Sequence, residues 1–208
     1  MKPTSMIALI VSAAMYSGGV AWAAAETPVA SDSPLGRTVQ TCGTCHGTKG
    51  RSVSPTFPNL AAQTAPYIEA QLKAFKDQTR ADPDAQAYMW GMAAQLSDAQ
   101  ISELADYFSK QPAPAPGNTG GPAAVARGKQ VFEQGVPAQQ IPPCASCHGA
   151  HGEGMATFPR LAGQHAPYLL KQILVIQNAL RNAPVMHGVV KDLSRDQILA
   201  VTAYLESI

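Results

Sequence analysis

The sequence TCGTCHG at residues 41–47 returns as PCASCHG at residues 143–149 of a chain of 208 residues. Both copies contain the pattern Cys-x-x-Cys-His, which ends at His46 in the first and at His148 in the second. Together they use every cysteine of the chain, namely Cys42, Cys45, Cys144 and Cys147. A pattern that takes up all four cysteines indicates one chemistry that is repeated twice.

Cysteines at this spacing have three ordinary interpretations. They form disulfides in an oxidising compartment, they bind zinc, or they act as a thioredoxin-like redox pair. None of these explains why a histidine follows each pair. Cys-x-x-Cys-His is the attachment signal for c-type haem, because two thiols on one turn bond to the porphyrin while the adjacent histidine faces the iron. The sequence therefore predicts two covalently bound haems c.

The first 25 residues have the features of a secretory signal peptide. Lys2 supplies a positive charge, an apolar run extends from Met6 towards Val20, and small residues follow at a suitable cleavage site. A membrane anchor is the alternative, but serine and glycine residues interrupt the run, and it falls short of the roughly 20 apolar residues that a spanning helix needs. We predict a cleaved signal peptide at residues 1–25 and an exported, periplasmic protein.

The remaining sequence also repeats, and the repeat identifies a second ligand for each iron. FPNLAAQTAPY from Phe57 returns as FPRLAGQHAPY from Phe158. MWGMAAQLS from Met89 returns as MHGVVKDLS from Met186, so the two methionines occupy equivalent positions. Because His/Met ligation raises the haem potential for electron transfer, we predict Met89 and Met186 as axial ligands opposite the motif histidines.

Other side chains compete for this role. Met92 has Val189 as its repeat counterpart, and Met155 has no methionine counterpart, so both fit packing or loop positions better. His187 lies beside Met186 and is a rival ligand, although its counterpart is Trp90.

The flanking sequences predict an all-α fold. Apolar residues recur at helical spacing after Pro66 and Pro167, and the last helix of each half opens on a Ser-x-x-Gln capping box at Ser97 and Ser194. Residues 112–122 are rich in proline and glycine and carry no charge, as in a linker that is stiff at first and looser at its glycines. We predict domains at residues 26–111 and 123–208.

The charge distribution excludes one class of partner. The whole chain carries a net charge of only +1, so it lacks the basic field with which nucleic-acid-binding proteins neutralise phosphates. Residues 26–111 hold seven basic and nine acidic residues, a net −2, whereas residues 123–208 hold seven basic and five acidic ones, a net +2. Such a dipole could orient encounters with redox partners, or the charges could simply be solvated faces.

The paired CxxCHG motifs, the FPxLA and APYxxxQ segments and the tandem arrangement resemble the dihaem cytochromes c of the cytochrome c4 family. The resemblance implies two class I cytochrome c domains, each wrapped around one haem. It implies electron transfer in the periplasm, typically from a quinol-oxidising complex to a terminal oxidase, with peripheral membrane association possible. An exported dehydrogenase subunit or a dihaem oxidoreductase is the alternative, but no catalytic constellation repeats in the two halves.

The resemblance also implies that the backbone carbonyls of Pro58 and Pro159 accept a hydrogen bond from the motif histidines. The first half departs from the second between Pro83 and Met89, where it has four additional residues. We expect a longer loop there and a less firmly held first methionine.

Overall fold

The computed structural model describes residues 29–208, so the predicted signal peptide at residues 1–25 lies outside the described part of the chain. Within residues 29–208 the regular secondary structure is helical. Two isolated β-bridges occur in this part of the chain, and neither belongs to a strand. The predicted all-α class is confirmed. No helix in this part of the chain combines the length and the apolar character needed to cross a membrane.

Between residues 29 and 208, four α-helices belong to the first half and five to the second. Those of the first half are α1 Pro34–His46, α2 Ala65–Lys76, α3 Trp90–Ala93 and α4 Asp98–Ser109. Those of the second half are α5 Pro122–Gln134, α6 Ala145–His148, α7 Ala166–Gln177, α8 Pro184–Val190 and α9 Arg195–Glu206.

Each half has its own apolar core beneath its last helix. In the first half, Ile68 of α2 packs with Leu104 and Phe108 of α4. In the second half, α5 crosses α9 at Gly128, where a Cβ atom would lie only 2.0 Å from the carbonyl oxygen of Ala200. The absence of a side chain at this position is what lets the two helix backbones approach each other.

The two final helices begin as their sequences predict. The hydroxyl of Ser97 accepts from the backbone N–H of Gln100 at 3.2 Å, and the Gln100 side chain accepts from the N–H of Ser97 in return. Ser194 and Gln197 make the same reciprocal pair at the start of α9. Both predicted capping boxes are confirmed.

The additional residues before Met89 form a helix rather than the expected loop. A π-helical segment, Ala85–Met89, runs directly into α3, and the N–H of Gln86 donates to the carbonyl of Asp82 at 3.1 Å. Alanine and glutamine favour helix, and a π turn accommodates extra residues within one. The expectation of a longer loop is therefore wrong, and a less firmly held Met89 stays a prediction.

The segment between the halves is attached to both of them. The Arg51 guanidinium donates to the carbonyl of Pro112 at 3.1 Å, and the N–H of Gly117 donates to the carbonyl of Glu206 at 2.8 Å. Gly120 packs so close to Ala203 that an added Cβ would lie 2.5 Å from that side chain. These contacts hold the glycine-rich part, which the sequence led us to expect as looser. The exact domain bounds stay a prediction.

Candidate haem-binding sites

Each Cys-x-x-Cys-His motif places its histidine at the end of a helix. Cys42, Cys45 and His46 lie on the last turns of α1, and Gly47 ends that helix with a φ of 74°. In the second half the motif forms the short helix α6, and Gly149 ends it with a φ of 86°. Glycine adopts this left-handed region without a steric cost, so the chain turns away directly after each histidine.

Both motif histidines are oriented by the same backbone contact. The Nδ1–H of His46 donates to the carbonyl of Pro58, and that of His148 donates to the carbonyl of Pro159, at 2.9 Å each. This contact confirms what the family resemblance implied. A carbonyl can only accept, so the bond fixes the tautomer and leaves Nε2 free to bind a metal.

An aromatic ring supports each histidine from the side. The Phe57 ring lies edge-on to His46 at 6.1 Å between centroids, and the Phe158 ring lies edge-on to His148 at 6.2 Å. Burial lowers the pKa of both histidines, although the hydrogen bonds to proline carbonyls oppose the shift. The imidazoles are therefore neutral at pH 7, which is the form that binds iron.

One continuous cavity of about 580 Å³ connects the two motifs. Its walls are mostly apolar side chains from the cores of both halves, including Ile68, Phe75, Leu104, Leu169, Ile173 and Val201. Cys42 and His46 open onto it from the first half, and both cysteines and His148 open onto it from the second. A cavity with apolar walls and few polar groups is typical of a cofactor site.

The predicted methionine ligands both line this cavity. Met89 reaches it from the π-helical segment and Met186 from α8. The rival side chains lie elsewhere: Met92 and Met155 are more than half exposed, and His187 uses its Nδ1 to bond the carbonyl of Ile176 at 2.8 Å. None of these three rivals lines the cavity.

The alternative uses of the cysteines find little support. No disulfide links the four cysteines, and no cluster of three or more potential metal ligands occurs within residues 29–208. Burial raises the pKa of the Cys42 thiol, and it raises the pKa of Cys144 to about 11. A thioredoxin-like pair needs a thiol whose pKa is lowered, so these sulfurs are not built as redox nucleophiles.

The two halves meet in an interface with pseudo-twofold symmetry. Gln164 accepts from the N–H of Asn59 at 2.9 Å and donates to its carbonyl at 3.0 Å. Gln63, which is the repeat counterpart of Gln164, makes the same pair of bonds with Arg160, at 2.7 and 3.0 Å. Asn59 and Arg160 are counterparts as well, so each half clamps the same backbone position of the other half.

A second set of counterparts forms a polar cluster between the halves. Arg80 donates to Gln71 of its own half at 2.7 Å and to Gln172 of the other half at 2.9 Å. Arg181 donates to Gln172 at 2.7 Å and to Gln71 at 2.9 Å, which is the mirrored arrangement. Tyr67 accepts from Arg181 at 2.9 Å. This central cluster lines the cavity between the two motifs.

Sequence reasoning did not identify this interface. Gln71 and Gln172 stand among apolar residues at helical spacing in the APYxxxQ segments, and no local pattern assigns a role to Gln63 or Gln164. A usable signal was present, because a polar side chain that recurs at an otherwise apolar repeat position needs a partner once it is buried.

The arrangement fits haem. The Nε–H of Arg160 is buried and has no hydrogen-bond partner among residues 29–208, and Arg181 has no ion pair among these residues. Both side chains line the cavity, so a largely apolar cofactor that also carries carboxylates would satisfy them. Haem has this character, since its apolar ring bears two propionates.

Comparison with known proteins agrees with this geometry. The cytochrome c family model matches the chain twice, at residues 35–111 and 125–208. A cytochrome c-552 from Acidithiobacillus ferridurans is 41% identical over 202 residues, which cover 96% of this chain and 86% of that protein. The solved cytochrome c4 of Acidithiobacillus ferrooxidans superposes with a TM-score of 0.77 at 42% identity, covering 81% of this chain and 99% of that one.

A third relative matches only part of the chain. A thiosulfate dehydrogenase electron acceptor from Stutzerimonas stutzeri is 39% identical over 88 residues, which cover 41% of each protein. The cytochrome c-552 and cytochrome c4 matches extend over most of the chain, and together with the two Cys-x-x-Cys-His motifs they establish the family. The chain belongs to the cytochrome c family and, within it, to the dihaem cytochromes c4, electron-transfer proteins that carry a covalently attached haem c at each Cys-x-x-Cys-His motif.

Proposed function

We propose that this protein carries single electrons in the periplasm, from a quinol-oxidising complex towards a terminal oxidase. In this proposal His46 and Met89 bind one iron, and His148 and Met186 bind the other. The observation that carries it is the cavity, which receives one motif histidine and one methionine from each half. His/Met ligation favours the reduced iron and suits an electron carrier.

The haem supplies one-electron redox chemistry, and the chain supplies orientation and seclusion. Pro58 and Pro159 hold the imidazoles through Nδ1, so that Nε2 faces the cavity. The apolar walls exclude water. Because few water molecules must reorient when the iron changes charge, the reorganisation energy of electron transfer is small. The two glutamine clamps at the interface hold the two sites in one fixed arrangement.

An enzyme would need an open coordination position and acid or base groups beside it. In each half a methionine lines the cavity together with the motif histidine. The two histidines that have no assigned ligand or rival role lie elsewhere: His151 is exposed, and His165 donates from Nε2 to the carbonyl of Ser52 at 3.0 Å. These placements support a carrier rather than a catalyst.

The compartment and the membrane relation are part of the proposal. The proposed export is based on the signal-like sequence at residues 1–25. We expect the haems to be attached in the periplasm, after export. The donor and acceptor complexes are embedded in a membrane, so peripheral contact with its surface follows from the proposed partners.

Removing each methionine separately tests the ligand assignment. In the oxidised holoprotein, Met89→Ala and Met186→Ala should each remove about half of the sulfur-to-iron charge-transfer absorption and lower the potential of one haem, because loss of a thioether ligand favours ferric iron. Met92→Ala is the matched control and should leave the spectrum unchanged. A full charge-transfer band in Met186→Ala would reject that ligand.

A second candidate function is service to one dedicated dehydrogenase. It is favoured by the partial match to a thiosulfate dehydrogenase electron acceptor. Stopped-flow mixing of the oxidised holoprotein with a reduced thiosulfate dehydrogenase or with a quinol-oxidising complex distinguishes the two. Rapid reduction by the dehydrogenase alone would replace the proposed donor.

A further inference from the structure

The central cluster is symmetric except at one position. Arg80 and Arg181 are repeat counterparts and donate to the same two glutamine oxygens. Two residues further on, the first half has Asp82, where the second half has Ala183. The repeat therefore pairs a carboxylate with a methyl group at equivalent positions beside equivalent arginines.

Asp82 neutralises Arg80 inside the protein. The Arg80 Nε–H donates to an Asp82 carboxylate oxygen at 2.8 Å, and the two side chains are only 9% and 2% exposed. Burial by itself lowers the pKa of the Arg80 guanidinium, but the nearby Tyr168, Tyr67 and Asp82 outweigh it, so the pKa is raised and the group is charged. In the first half, the arginine that lines the cavity is thus paired with a buried carboxylate behind it.

In the second half, no protein carboxylate among residues 29–208 forms a corresponding ion pair with the equivalent arginine. Arg181 has no carboxylate within salt-bridge distance in the described part of the chain, and it bonds only neutral groups. Arg160 also lines the cavity on this side, where its counterpart in the first half is the neutral Asn59. Its carboxylate neighbour, Glu153, acts on it only at a distance, without an ion pair. Lys171 and Asp84 form an ion pair across the interface and add no net charge.

Charge placed near a haem changes its reduction potential. Reduction removes one positive charge from the iron, so a nearby cation disfavours the ferric state and raises the potential, whereas a nearby anion lowers it. Buried charges act strongly because salt and water screen them little. Both arginines line the cavity that receives the haem ligands.

We propose that Asp82 is a potential-setting residue, which lowers the reduction potential of the haem in the first half relative to that in the second. This inference rests on the proposed ligand sets. It explains how two haems with the same axial ligands come to have different reduction potentials. Electrons then settle preferentially on the second haem, at His148, and the first haem passes them on rather than holding them.

Two opposite substitutions in the full-length holoprotein test the proposal. Asp82→Asn keeps the shape of the side chain and removes its charge, and it should favour reduction of the first haem about tenfold, an upward shift of about 59 mV for a one-electron couple. Ala183→Asp supplies the missing carboxylate and should lower the potential of the second haem. The readout is a spectroelectrochemical titration, in which Met186→Ala identifies the wave of the second haem.

Asp106→Asn is the control for overall charge, because Asp106 is exposed and pairs with Lys110 at the surface. In this variant the reduction waves of both haems should keep their potentials. Unmoved waves in Asp82→Asn, with the charge-transfer absorption retained, would overturn the inference while leaving the ligand assignment intact. Movement of the same wave by Asp82→Asn and Ala183→Asp would overturn it as well. If one of these two variants fails to bind haem, the other decides.

Discussion

Replacing Gln164 with alanine should uncouple the two halves. The Gln164 side chain is buried at the interface and satisfies both backbone groups of Asn59, at 2.9 and 3.0 Å. Asn59 is also buried, so the substitution leaves its N–H and its carbonyl without partners, and the N–H of His165 loses its acceptor at 3.1 Å as well. Each unsatisfied buried group costs about 1–3 kcal/mol. Because a water molecule can enter the space and recover part of this, we expect a loss of about 2–4 kcal/mol.

Chemical unfolding of the holoprotein, followed by far-UV circular dichroism, measures this loss. In the unmodified protein the symmetric interface should make the two halves unfold in one transition. In Gln164→Ala the midpoint should fall, and the transition should broaden or split as the halves unfold separately. Gln95→Ala is the control, because Gln95 is exposed on the surface of the first half. A free energy of unfolding within about 0.5 kcal/mol of the unmodified value would refute the assigned role of the clamp.

Two further predictions follow from the site and from the helix caps. If each iron has two protein ligands, the reduced holoprotein should bind carbon monoxide slowly and incompletely at neutral pH. Flash photolysis or stopped flow measures this binding, and rapid stoichiometric binding would indicate an open coordination position. Ser194→Ala should destabilise the second half by about 1 kcal/mol, since it leaves the N–H of Gln197 without its hydroxyl acceptor, and thermal unfolding that matches the unmodified protein would show that the cap contributes nothing.

The sequence was sufficient for the haem motifs and for the helical class. Two thiols and a histidine at fixed spacing have few chemical uses, and the repeat restricted the methionines to Met89 and Met186. The structure adds that both methionines line the same cavity as the motif histidines. The family resemblance supplied the Pro58 and Pro159 contacts, which neither composition nor periodicity predicts, because they involve backbone carbonyls distant in sequence from the histidines.

The interface could not be read from periodicity. Gln63 and Gln164 bond backbone groups about a hundred residues away in the chain, and no local pattern records such a partner. The segment before Met89 was misjudged for a different reason. The comparison of the two halves shows only that the first has additional residues there. Whether such residues form a loop or extend a helix depends on their helical preference, which alanine and glutamine have.

The most direct test of the dihaem carrier is a coulometric titration of the holoprotein with its visible spectrum recorded at each step. We predict the uptake of two electrons per chain in two one-electron steps. The sulfur-to-iron charge-transfer absorption should decline by about half in each step, and both irons should remain low-spin throughout. Uptake of a single electron, or a high-spin iron in either oxidation state, would contradict the assignment of a His/Met haem to each half.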